Sequence, residues 1–503
     1  MIAQLDIFVG PEIQWFALSP LLILLGGALG LLLVGALTPP WPKRLYAIVS
    51  ATTAGAAGVM GLVLWNDISD NGPKTLVGGA LAFDKLAMFM TITICLGVLL
   101  VSILSDDYVH DTPNRGPEIY ALYLVAALGG IVMASANDLI VLFLGLETLS
   151  LALYVLAASN RRSSESAEAG IKYFVLGGFA SAFFLYGIAL VYGGTGTTNI
   201  SEMVAALQTS IDPFSDDTLV LAGIALLIVG LGFKVAAVPF HVWAPDVYQG
   251  APTPVTSFMA SVGKAAAFAA MIRVLVVALP FYKDDWRPII WVLALVTLLG
   301  GSILAVVQDN VKRMLAYSSI SHAGFILVGI EAAGYGAGTS DPGPGVPAVV
   351  LYLVLYSVLV IGSFAVVTIV SRSTGGDTSI DSFKGLAKRR PALALGFTVL
   401  LLAQAGVPLT SGFIAKFGVI QAAVDVESYA IAVIAMLCAV IAAFLYLRIM
   451  VSMWVGESTD ESAVTIPFSM GVVVTLTVVF TIALGIFPGW LIDAADQVTQ
   501  YAR

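Results

Sequence analysis

The stretch TLVLAGIALLIVGLGFKVAAVPF, residues 218–240, decides the fold class. It is an apolar run long enough to cross a bilayer, which takes about 20 residues for roughly 30 Å of hydrocarbon. Yet it carries Lys234 and, five residues later, Pro239. A charge at the centre of a bilayer costs on the order of 3 kcal/mol, so such a lysine usually faces a bundle interior and serves an ion or proton path. A proline disrupts the helix, and breaks at membrane depth usually line a cavity or an ion site.

The whole chain has the same apolar character. Of its 503 residues, 59% are hydrophobic and 11% are charged, and the mean hydropathy is +0.97. This excludes a soluble domain and predicts a polytopic helical membrane protein. The net charge of −9 lies mostly in loops and does not indicate nucleic-acid binding. Cys95 and Cys438 each lie in an apolar run, which excludes a disulfide framework, a zinc site and cysteine-ligated iron–sulfur clusters.

Fourteen runs are long enough to span a membrane, and their lack of alternation predicts helices rather than barrel strands. The first seventeen residues contain Asp6 and Glu12 but no Lys or Arg, so they lack the basic region of a cleaved signal peptide and the first span should be retained. The twelfth run is long enough to be a broken or tilted helix. The predicted spans are 18–37, 45–64, 82–104, 118–135, 138–159, 169–193, 218–240, 254–279, 288–308, 313–332, 346–371, 391–424, 427–454 and 464–490.

The basic residues between the spans predict an orientation with both termini outside. With the N-terminus outside, twelve Lys and Arg fall in cytoplasmic loops and four in outer segments, in agreement with the positive-inside rule. The cytoplasmic set is Lys43, Arg44, Arg115, Arg161, Arg162, Lys312, Arg313, Arg372, Lys384, Lys388, Arg389 and Arg390, and the outer set is Lys74, Lys283, Arg287 and Arg503.

A second prolyl break accompanies a lysine in the twelfth span. Residues 404–417 read QAGVPLTSGFIAKF, with Pro408 eight residues before Lys416. Two interrupted spans in corresponding positions of two five-helix blocks predict inverted repeats. The predicted fold class is therefore an all-α polytopic membrane protein of about 14 transmembrane helices, with two inverted five-helix repeats and broken helices 7 and 12. The predicted divisions are a three-helix segment at 1–117, a first repeat at 118–280 (helices 4–8), a second repeat at 281–456 (helices 9–13) and a last helix at 457–503.

Five ionisable residues lie in stretches that otherwise read as hydrocarbon: Glu147, Lys172, Lys234, Lys264 and Lys416. The functional interpretation is a proton relay, in which a buried group changes its charge when a neighbour moves. The plain alternative is a set of structural ion pairs, although Lys264 and Lys416 have no obvious acidic partner. Lys172 lies near the start of its span, and its ammonium group is equally able to reach the membrane interface.

Other polar residues keep two interpretations each. His241 follows the break at Pro239 and suits either a proton entrance or an interface position bonded to backbone. His322 lies within the tenth span beside Ser and Tyr residues, where it serves either a hydroxyl and water chain or packing. Arg273 and Arg448 are late-span anchors or partners of carboxylates.

Four motifs carry a family resemblance: GFKVAAVPFHVWAPDVYQGAPTPVTSFMASVGKAAAFAA (232–270), VKRMLAYSSISHAGFILVG (311–329), GVPLTSGFIAKF (406–417) and GLETLSLALYVLAA (145–158). They resemble the antiporter-like membrane subunits of respiratory complex I, NADH–quinone oxidoreductase. The segment VYQGAPTPVTSFMAS, together with GVPLTSGFIAKF and GLETLSLALYVLAA, is similar to subunit N in particular. The resemblance covers roughly residues 118–455.

The resemblance implies a proton-translocating subunit in the membrane arm. It makes Glu147 the fifth-helix carboxylate paired with Lys234, and Lys172 the sixth-helix lysine close to that pair. His241 matches the histidine after the seventh-helix break. Lys264 becomes the central lysine and Lys416 the group nearest the outer exit.

The resemblance also implies partners and a location. The chain would contact other membrane-arm subunits, including other antiporter-like ones, in a bacterial cytoplasmic membrane. NADH, FMN, iron–sulfur clusters and quinone are expected in other subunits, because this chain has no flavin, nicotinamide or iron–sulfur motif. Two alternatives stay open: a subunit of a multi-subunit cation/proton antiporter, and an inert scaffold whose ion pairs are structural.

Overall fold

The chain folds into a bundle of membrane-spanning helices. The computed structural model describes residues 10, 12–42, 44–110, 116–209, 218–457 and 464–502. Within these ranges, thirteen helices are long and apolar enough to cross a membrane, and each corresponds to one predicted span. The polytopic all-α prediction is confirmed. Lys43, Arg115 and Arg503 of the orientation count, and Asp6 of the N-terminal segment, lie outside the described residues.

The helices follow one another along the chain with short connections. The first part contains α1 (Ser19–Leu37), α2 (Leu45–Asn71), α3 (Lys85–His110), α4 (Glu118–Ser135), α5 (Leu139–Ala157), α6 (Ser164–Thr195), α7 (Ile200–Thr209), α8 (Thr218–Val235), α9 (Trp243–Gly250), α10 (Thr253–Phe258) and α11 (Lys264–Met271). The second part contains α12 (Lys283–Val306), α13 (Val311–Gly336), α14 (Gly345–Ser373), α15 (Leu386–Arg389), α16 (Pro391–Ala405), α17 (Ser411–Asp425), α18 (Tyr429–Val455), α19 (Phe468–Ile486) and α20 (Gly489–Asp496).

The break predicted in the seventh span is present. Helix α8 ends at Val235, and Ala236 has a left-handed φ of 59°. Pro239 cannot continue a helix because it lacks an N–H and its ring clashes with the preceding turn. The chain therefore crosses 236–242 without a helix and resumes in α9. The indole N–H of Trp243 donates to the Phe233 carbonyl at 3.0 Å and closes the break.

The twelfth span consists of two half-helices rather than one long helix. Helices α16 and α17 have 15 residues each, so neither crosses about 30 Å of hydrocarbon by itself. Gly406 (φ 92°) and Leu409 (φ 65°) take left-handed conformations between them. The prediction of a broken or tilted helix at 391–424 is thereby resolved as a break next to Pro408.

The eighth span is continuous but irregular. Between α10 and α11 the helix widens into a π-helical segment (the first π-turn, Met259–Gly263), and after α11 into a second one (the second π-turn, Ile272–Ala278). Lys264 directly follows the first π-turn and Arg273 lies in the second. Such π-turns are often found at functional sites.

Some local predictions are wrong. Helix α6 begins five residues earlier than expected, because the Ser163 side chain caps it by accepting from the Ser166 N–H at 3.2 Å. Helix α7 was not predicted. Neither was a short antiparallel hairpin before α3, in which Thr75 lies opposite Ala82; its strands are β1 (Lys74–Leu76) and β2 (Leu81–Phe83).

The core lies along α11, α13 and α14. The apolar windows of α13 and α14 are completely buried, whereas much of α1, α6 and α18 is exposed on one side. The central helices therefore hold the side chains that are shielded from lipid, and Lys264 and His322 are among them. The inverted relation between the two five-helix blocks and the four residue divisions stay predictions.

Candidate functional site

Lys234 lies in the last turn of α8, directly before the break, and is buried. Its Nζ donates to the Ser150 hydroxyl at 2.6 Å and the Tyr154 hydroxyl at 3.4 Å, both on α5. The ammonium also faces the rings of Tyr154 and Tyr173 at 5.5 and 6.0 Å. These contacts hold the charge by hydroxyl and ring dipoles rather than by a direct ion pair.

Glu147 lies on the same face of α5 as Ser150, one turn earlier. Its carboxylate accepts a hydrogen bond from the Ser181 hydroxyl of α6. It interacts electrostatically with Lys234, but among the ion pairs of the described residues none within 4.0 Å joins the two. The structure thus brings Glu147 and Lys234 into one neighbourhood, with Ser150 next to both, and does not form the direct pair.

Lys264 is fully enclosed between α11 and α13. Its Nζ donates to the Ser319 carbonyl at 2.5 Å and to the Ser319 hydroxyl at 2.7 Å, and it faces the Tyr356 ring at 5.9 Å. In the part of the chain that the structure describes, no carboxylate lies within 4.0 Å of it. The described groups that contact its ammonium, Ser319 and the Tyr356 ring, are neutral.

His322 lies between Lys264 and Lys416 and interacts electrostatically with both. Its Nδ1 is 2.6 Å from the Tyr352 hydroxyl and its Nε2 is 3.3 Å from the Tyr446 hydroxyl. The interpretation left open from the sequence is thereby sharpened: the ring is buried, and both nitrogens belong to a hydrogen-bonded network.

That network extends to the twelfth span. The Tyr446 hydroxyl is 2.6 Å from the hydroxyl of Ser318, which neighbours Ser319, and Ser318 donates to the Gln404 side chain at 3.3 Å. Gln404 directly precedes Ala405. Two members of the network, Ser318 and Gln404, therefore directly precede in the sequence the residues that bind Lys264 and Lys416.

Lys416 lies inside α17 and points back to the break. Its Nζ donates to the carbonyl of Ala405, the last residue of α16, at 3.1 Å, and faces the Phe325 ring at 4.8 Å. A carbonyl at a helix C-terminus carries part of the negative end of the helix dipole, so it suits a cation. Among the described residues, no acidic side chain lies within 4.0 Å of Lys416.

Lys172 does not join this row. Its Nζ lies 2.7 Å from Glu168 and 2.7 Å from Asp246, and its side chain is 41% exposed. The structure thus brings it to α9 rather than to the pair of Glu147 and Lys234. Of the two interpretations, these contacts favour the interface position.

Asp246 is a site residue that sequence reasoning missed. Its two oxygens bind Lys172 of α6 and Arg313 of α13, each at 2.7 Å. Burial acts to raise the pKa of this carboxyl, but the hydrogen bonds from Lys172 and Arg313 outweigh it and lower the pKa below its usual range. The sequence feature that could have indicated Asp246 is its position in VWAPDVYQG, shortly after the prolyl break.

His241 lies in the loop between α8 and α9 and is half-buried. Burial lowers the pKa of its imidazole, and a hydrogen bond with the Pro239 backbone acts in the opposite direction. The contacts fit a position beside the break and leave its role a prediction.

Lys312 lies in a helix rather than in the loop that the sequence predicts for it. It is buried in the first turn of α13, and its Nζ donates to the Ala251 carbonyl at 2.6 Å. The sequence VKR did not indicate this burial, because a lysine at the start of a helix and beside another charged residue is usually solvated.

The two arginines left open by the sequence both pair with carboxylates. Arg273 forms two 2.6 Å hydrogen bonds with Asp84 in the interior. Arg448 binds Asp309 and the carbonyls of Val306 and Gln308. Neither pair includes a residue that binds Lys234, Lys264 or Lys416.

The sequence matches a family model and is similar to known relatives over nearly its whole length. Residues 136–442 match the family described as NADH:quinone oxidoreductase/Mrp antiporter, TM. NADH-quinone oxidoreductase subunit N 3 of Streptomyces griseus is 38% identical and aligns over 99% of this chain and 96% of its own length. The chain belongs to the subunit N family of NADH–quinone oxidoreductase. Subunit N of Rhodococcus opacus is also 38% identical, over 100% of this chain and 99% of its own.

Solved structures place the subunit N family in a wider fold. A chain of respiratory complex I from Thermus thermophilus is 31% identical, with a TM-score of 0.78 over 95% of this chain and 99% of that one. A chain of the Mrp complex from Dietzia has a TM-score of 0.83 at 22% identity, over 97% of each chain. The second likeness concerns the fold alone.

Proposed function

We propose that this chain is a membrane-arm subunit of a proton-pumping NADH–quinone oxidoreductase and that it carries protons along its buried lysines. One observation carries the proposal: Lys264 and Lys416 are buried, no carboxylate of the described residues lies within 4.0 Å of either, and Ser318 and Gln404, the sequence neighbours of the residues that bind them, are hydrogen-bonded to each other. A charge held only by neutral dipoles is poised to be lost or regained when a neighbouring charge changes.

In this mechanism Glu147 acts as the modulator of Lys234. The two residues interact across Ser150 without a fixed bond, so a small movement of α5 changes their interaction strongly. When Glu147 approaches, Lys234 holds its proton; when Glu147 withdraws, Lys234 releases it toward Lys264. His241, beside the same break, is proposed to lie on the cytoplasmic entrance, and Lys172 to respond to Glu147 only if it leaves Asp246.

The step from Lys234 to Lys264 is the proposed control point. Aromatic rings lie in this interval: Tyr173 stacks on Trp243 at 4.5 Å, and Trp243 meets Tyr248 edge to face at 6.1 Å. Among the described residues, no side-chain hydrogen bonds link Lys234 to Lys264 across these rings. Proton passage there requires rearrangement or inserted water, which allows coupling to a distant reaction.

The remaining steps use the existing network. A proton leaving Lys264 crosses from Ser319 to the neighbouring Ser318 and continues toward Gln404 and Lys416. Tyr446 and His322 form a branch of the same network at Ser318. Lys416 faces the break between α16 and α17, which we propose as the start of the outer exit. We assign NADH, FMN, iron–sulfur clusters and quinone to other subunits, which supply the driving reaction.

The proposed setting is a bacterial cytoplasmic membrane with both termini outside, next to other membrane-arm subunits. It is supported by the twelve-to-four distribution of basic residues and by full-length relatives whose names specify subunit N. The alternative, a multi-subunit cation/proton antiporter, has support from a shared fold at 22% identity only.

The test uses the assembled complex in proteoliposomes. Lys234→Ala and Lys264→Ala should each abolish most proton translocation and slow NADH–quinone turnover, while Lys74→Ala, at the hairpin strand, should leave both unchanged. Full proton pumping in both lysine variants would overturn the relay. Purification of the chain without NADH-oxidising subunits would instead favour the antiporter.

A further inference from the structure

A groove of about 720 Å³ lies over the outward face of α5, between the start of α4 and the start of α6. Its walls include Leu122 from α4, Val155 from α5 and Phe174 from α6, and Glu118 and Arg161 line its polar end. The start of α4, the end of α5 and the start of α6 lie on the side that the predicted orientation assigns to the cytoplasm. At roughly 30 Å³ per molecule, the groove has room for about 20 waters.

Tyr154 connects this groove to Lys234. It is one of the residues that line the groove, and its hydroxyl is 3.4 Å from the Nζ of Lys234. The other hydroxyl on Lys234 belongs to Ser150, which donates to the Leu146 carbonyl within α5 and does not line the groove. Among the described residues, Tyr154 is therefore the link between the groove and the lysine.

The groove needs to reach only a short way into the membrane. Helix α5 has 19 residues, about the length that crosses the hydrocarbon core, so its end at Ala157 lies near the boundary of that core. Tyr154 is three residues earlier, which is about 4.5 Å deeper along the helix axis. Water in the groove therefore reaches Tyr154 by entering the core by less than one helical turn.

Gly177 sets the position of the Tyr154 hydroxyl. A methyl group added at Gly177 of α6 would overlap that hydroxyl, whereas one added at Gly178 would meet no heavy atom of the described residues within 4 Å. The Tyr154 ring lies edge-on to Tyr173 at 4.8 Å and to Phe174 at 5.7 Å. The space left by the absent side chain of Gly177 is thus where the hydroxyl fits.

The charges around the Tyr154 hydroxyl are compatible with the passage of a proton. The two charged residues of the groove have opposite signs, and a carboxylate near the hydroxyl attracts a proton once the neighbouring lysine is neutral. Among the described residues, the charged and titratable groups that face the hydroxyl or line the groove are Lys234 from α8, Glu147 from α5, Tyr173 from α6, Glu118 from α4 and Arg161 from the loop before α6.

We propose that this groove is the entrance through which protons from the cytoplasm reach Lys234, with Tyr154 as the last carrier. The proposal rests on the proposed function, because it supplies the first lysine of the relay. After Lys234 has released its proton, its lone pair takes the hydroxyl proton of Tyr154, and the Tyr154 oxygen takes a proton from a hydronium ion in the groove. Tyr154 is unchanged, the hydronium becomes water, and one proton has moved to Lys234.

The test is proton pumping by the assembled complex in proteoliposomes, with the cytoplasmic side at pH 6 or at pH 8. Tyr154→Phe keeps the ring and loses the hydroxyl. We expect it to pump within about twofold of wild type at pH 6 and at least about tenfold more slowly than wild type at pH 8, because protons are scarce there and their delivery limits the rate. Gly177→Ala, which displaces the hydroxyl, should show the same pattern, and Gly178→Ala should match wild type at both pH values.

A plug in the groove provides a second test that leaves Tyr154 in place. Val155→Trp adds bulk at an outward-facing residue of the lining (57% exposed) and should slow pumping at pH 8 more than at pH 6. Leu151→Trp is the matched control, because Leu151 lies one turn earlier on the same outward face (54% exposed) and outside the lining. Equal losses in the two variants would count against the groove.

The outcomes separate this entrance from the relay that it serves. Wild-type pumping at pH 8 in Tyr154→Phe and Gly177→Ala, or the same loss at pH 6 and pH 8, would overturn the entrance. If Lys234→Ala then still loses pumping, the relay stands without this entrance; if Lys234→Ala pumps fully, the proposed function falls as well. A loss at pH 8 in His241→Asn but not in Tyr154→Phe would place the entrance at the loop after α8 and would also overturn the proposal.

Discussion

Lys264 donates two hydrogen bonds to Ser319, one to its carbonyl at 2.5 Å and one to its hydroxyl at 2.7 Å. Residues 264 and 319 come from the two different blocks predicted from the sequence, so this contact joins the blocks at the core of the bundle. Because only neutral oxygens bind the ammonium, the strength of these two bonds determines how readily Lys264 keeps a proton.

Removal of the Ser319 hydroxyl should therefore weaken proton transfer without breaking the fold. In Ser319→Ala the carbonyl bond remains and the hydroxyl bond is lost, so we expect proton translocation per NADH–quinone turnover, or turnover itself, to fall about tenfold, as for one hydrogen bond to a charged group. Initial rates in proteoliposomes with a pH-sensitive dye measure this. Ser321→Ala is the control, because the Ser321 hydroxyl is bonded to the Ser302 hydroxyl, at 2.9 Å, and not to a lysine. Equal losses in both variants would contradict a specific role of the Ser319 hydroxyl.

Lys172 should contribute less than the other lysines. It is paired with Glu168 and Asp246 and half exposed, so Lys172→Met should retain more than about half of the proton-pumping rate, because solvent screens an exposed ion pair and its loss changes little. Lys234→Met, at a buried position, should lose most of it. A Lys172→Met complex as inactive as Lys234→Met would return Lys172 to the relay.

Asp246 gives the pH dependence of this cluster. Its pKa is lowered in the folded chain, so its contribution to stability is complete above the unfolded value of about 3.9 and is lost as the pH falls through the folded value. Thermal unfolding of the complex at pH 6 and pH 8 should therefore show the same difference between wild type and Asp246→Asn. A difference that disappears between pH 8 and pH 6 would contradict this assignment.

The sequence predicted the features that depend on one segment at a time. The spans follow from apolar length, and the breaks near Lys234 and Lys416 follow from proline next to a costly charge. The sequence did not predict contacts between distant segments, because these depend on how the helices pack. Examples are the contact of Lys264 with Ser319, those of His322 with two tyrosines and that of Lys172 with Asp246. The burial of Lys312 was not predicted, because the neighbouring residues in the sequence do not show how deeply the first turn of a helix is buried.

The buried pair of Asp84 and Arg273 should matter for assembly and not for proton transfer. Its two bonds are 2.6 Å long, and Asp84 also accepts from the backbone N–H of Ala502 at 3.1 Å, which ties down the C-terminal segment. Arg273→Leu leaves a buried carboxylate unpaired and should cost about 3–5 kcal/mol of folding free energy. The yield and the thermal midpoint of the purified complex measure this.

A double variant provides the control for that pair. Asp84→Asn combined with Arg273→Gln removes both charges. The double variant should therefore lose clearly less stability than the sum of the losses in Asp84→Asn alone and Arg273→Gln alone. Proton pumping per assembled complex should be unchanged in each. Additive losses would mean that the two residues act separately.

Lys312 should act as an anchor for α9. Its Nζ donates at 2.6 Å to the carbonyl of Ala251, the C-cap residue directly after α9, and a cation at this end of a helix is favourable. Lys312→Met removes the bond and leaves a buried carbonyl unpaired, so we expect a loss of about 1.5–3 kcal/mol, measured as a lower thermal midpoint of the complex. Lys312→Arg keeps the charge and should recover most of it. The neighbouring Arg313→Gln, which removes one bond of a partly exposed ion pair, should cost at most about 1 kcal/mol. A Lys312→Met complex that is fully stable but no longer pumps protons, with no recovery in Lys312→Arg, would instead make Lys312 a member of the relay, because an arginine does not release its proton.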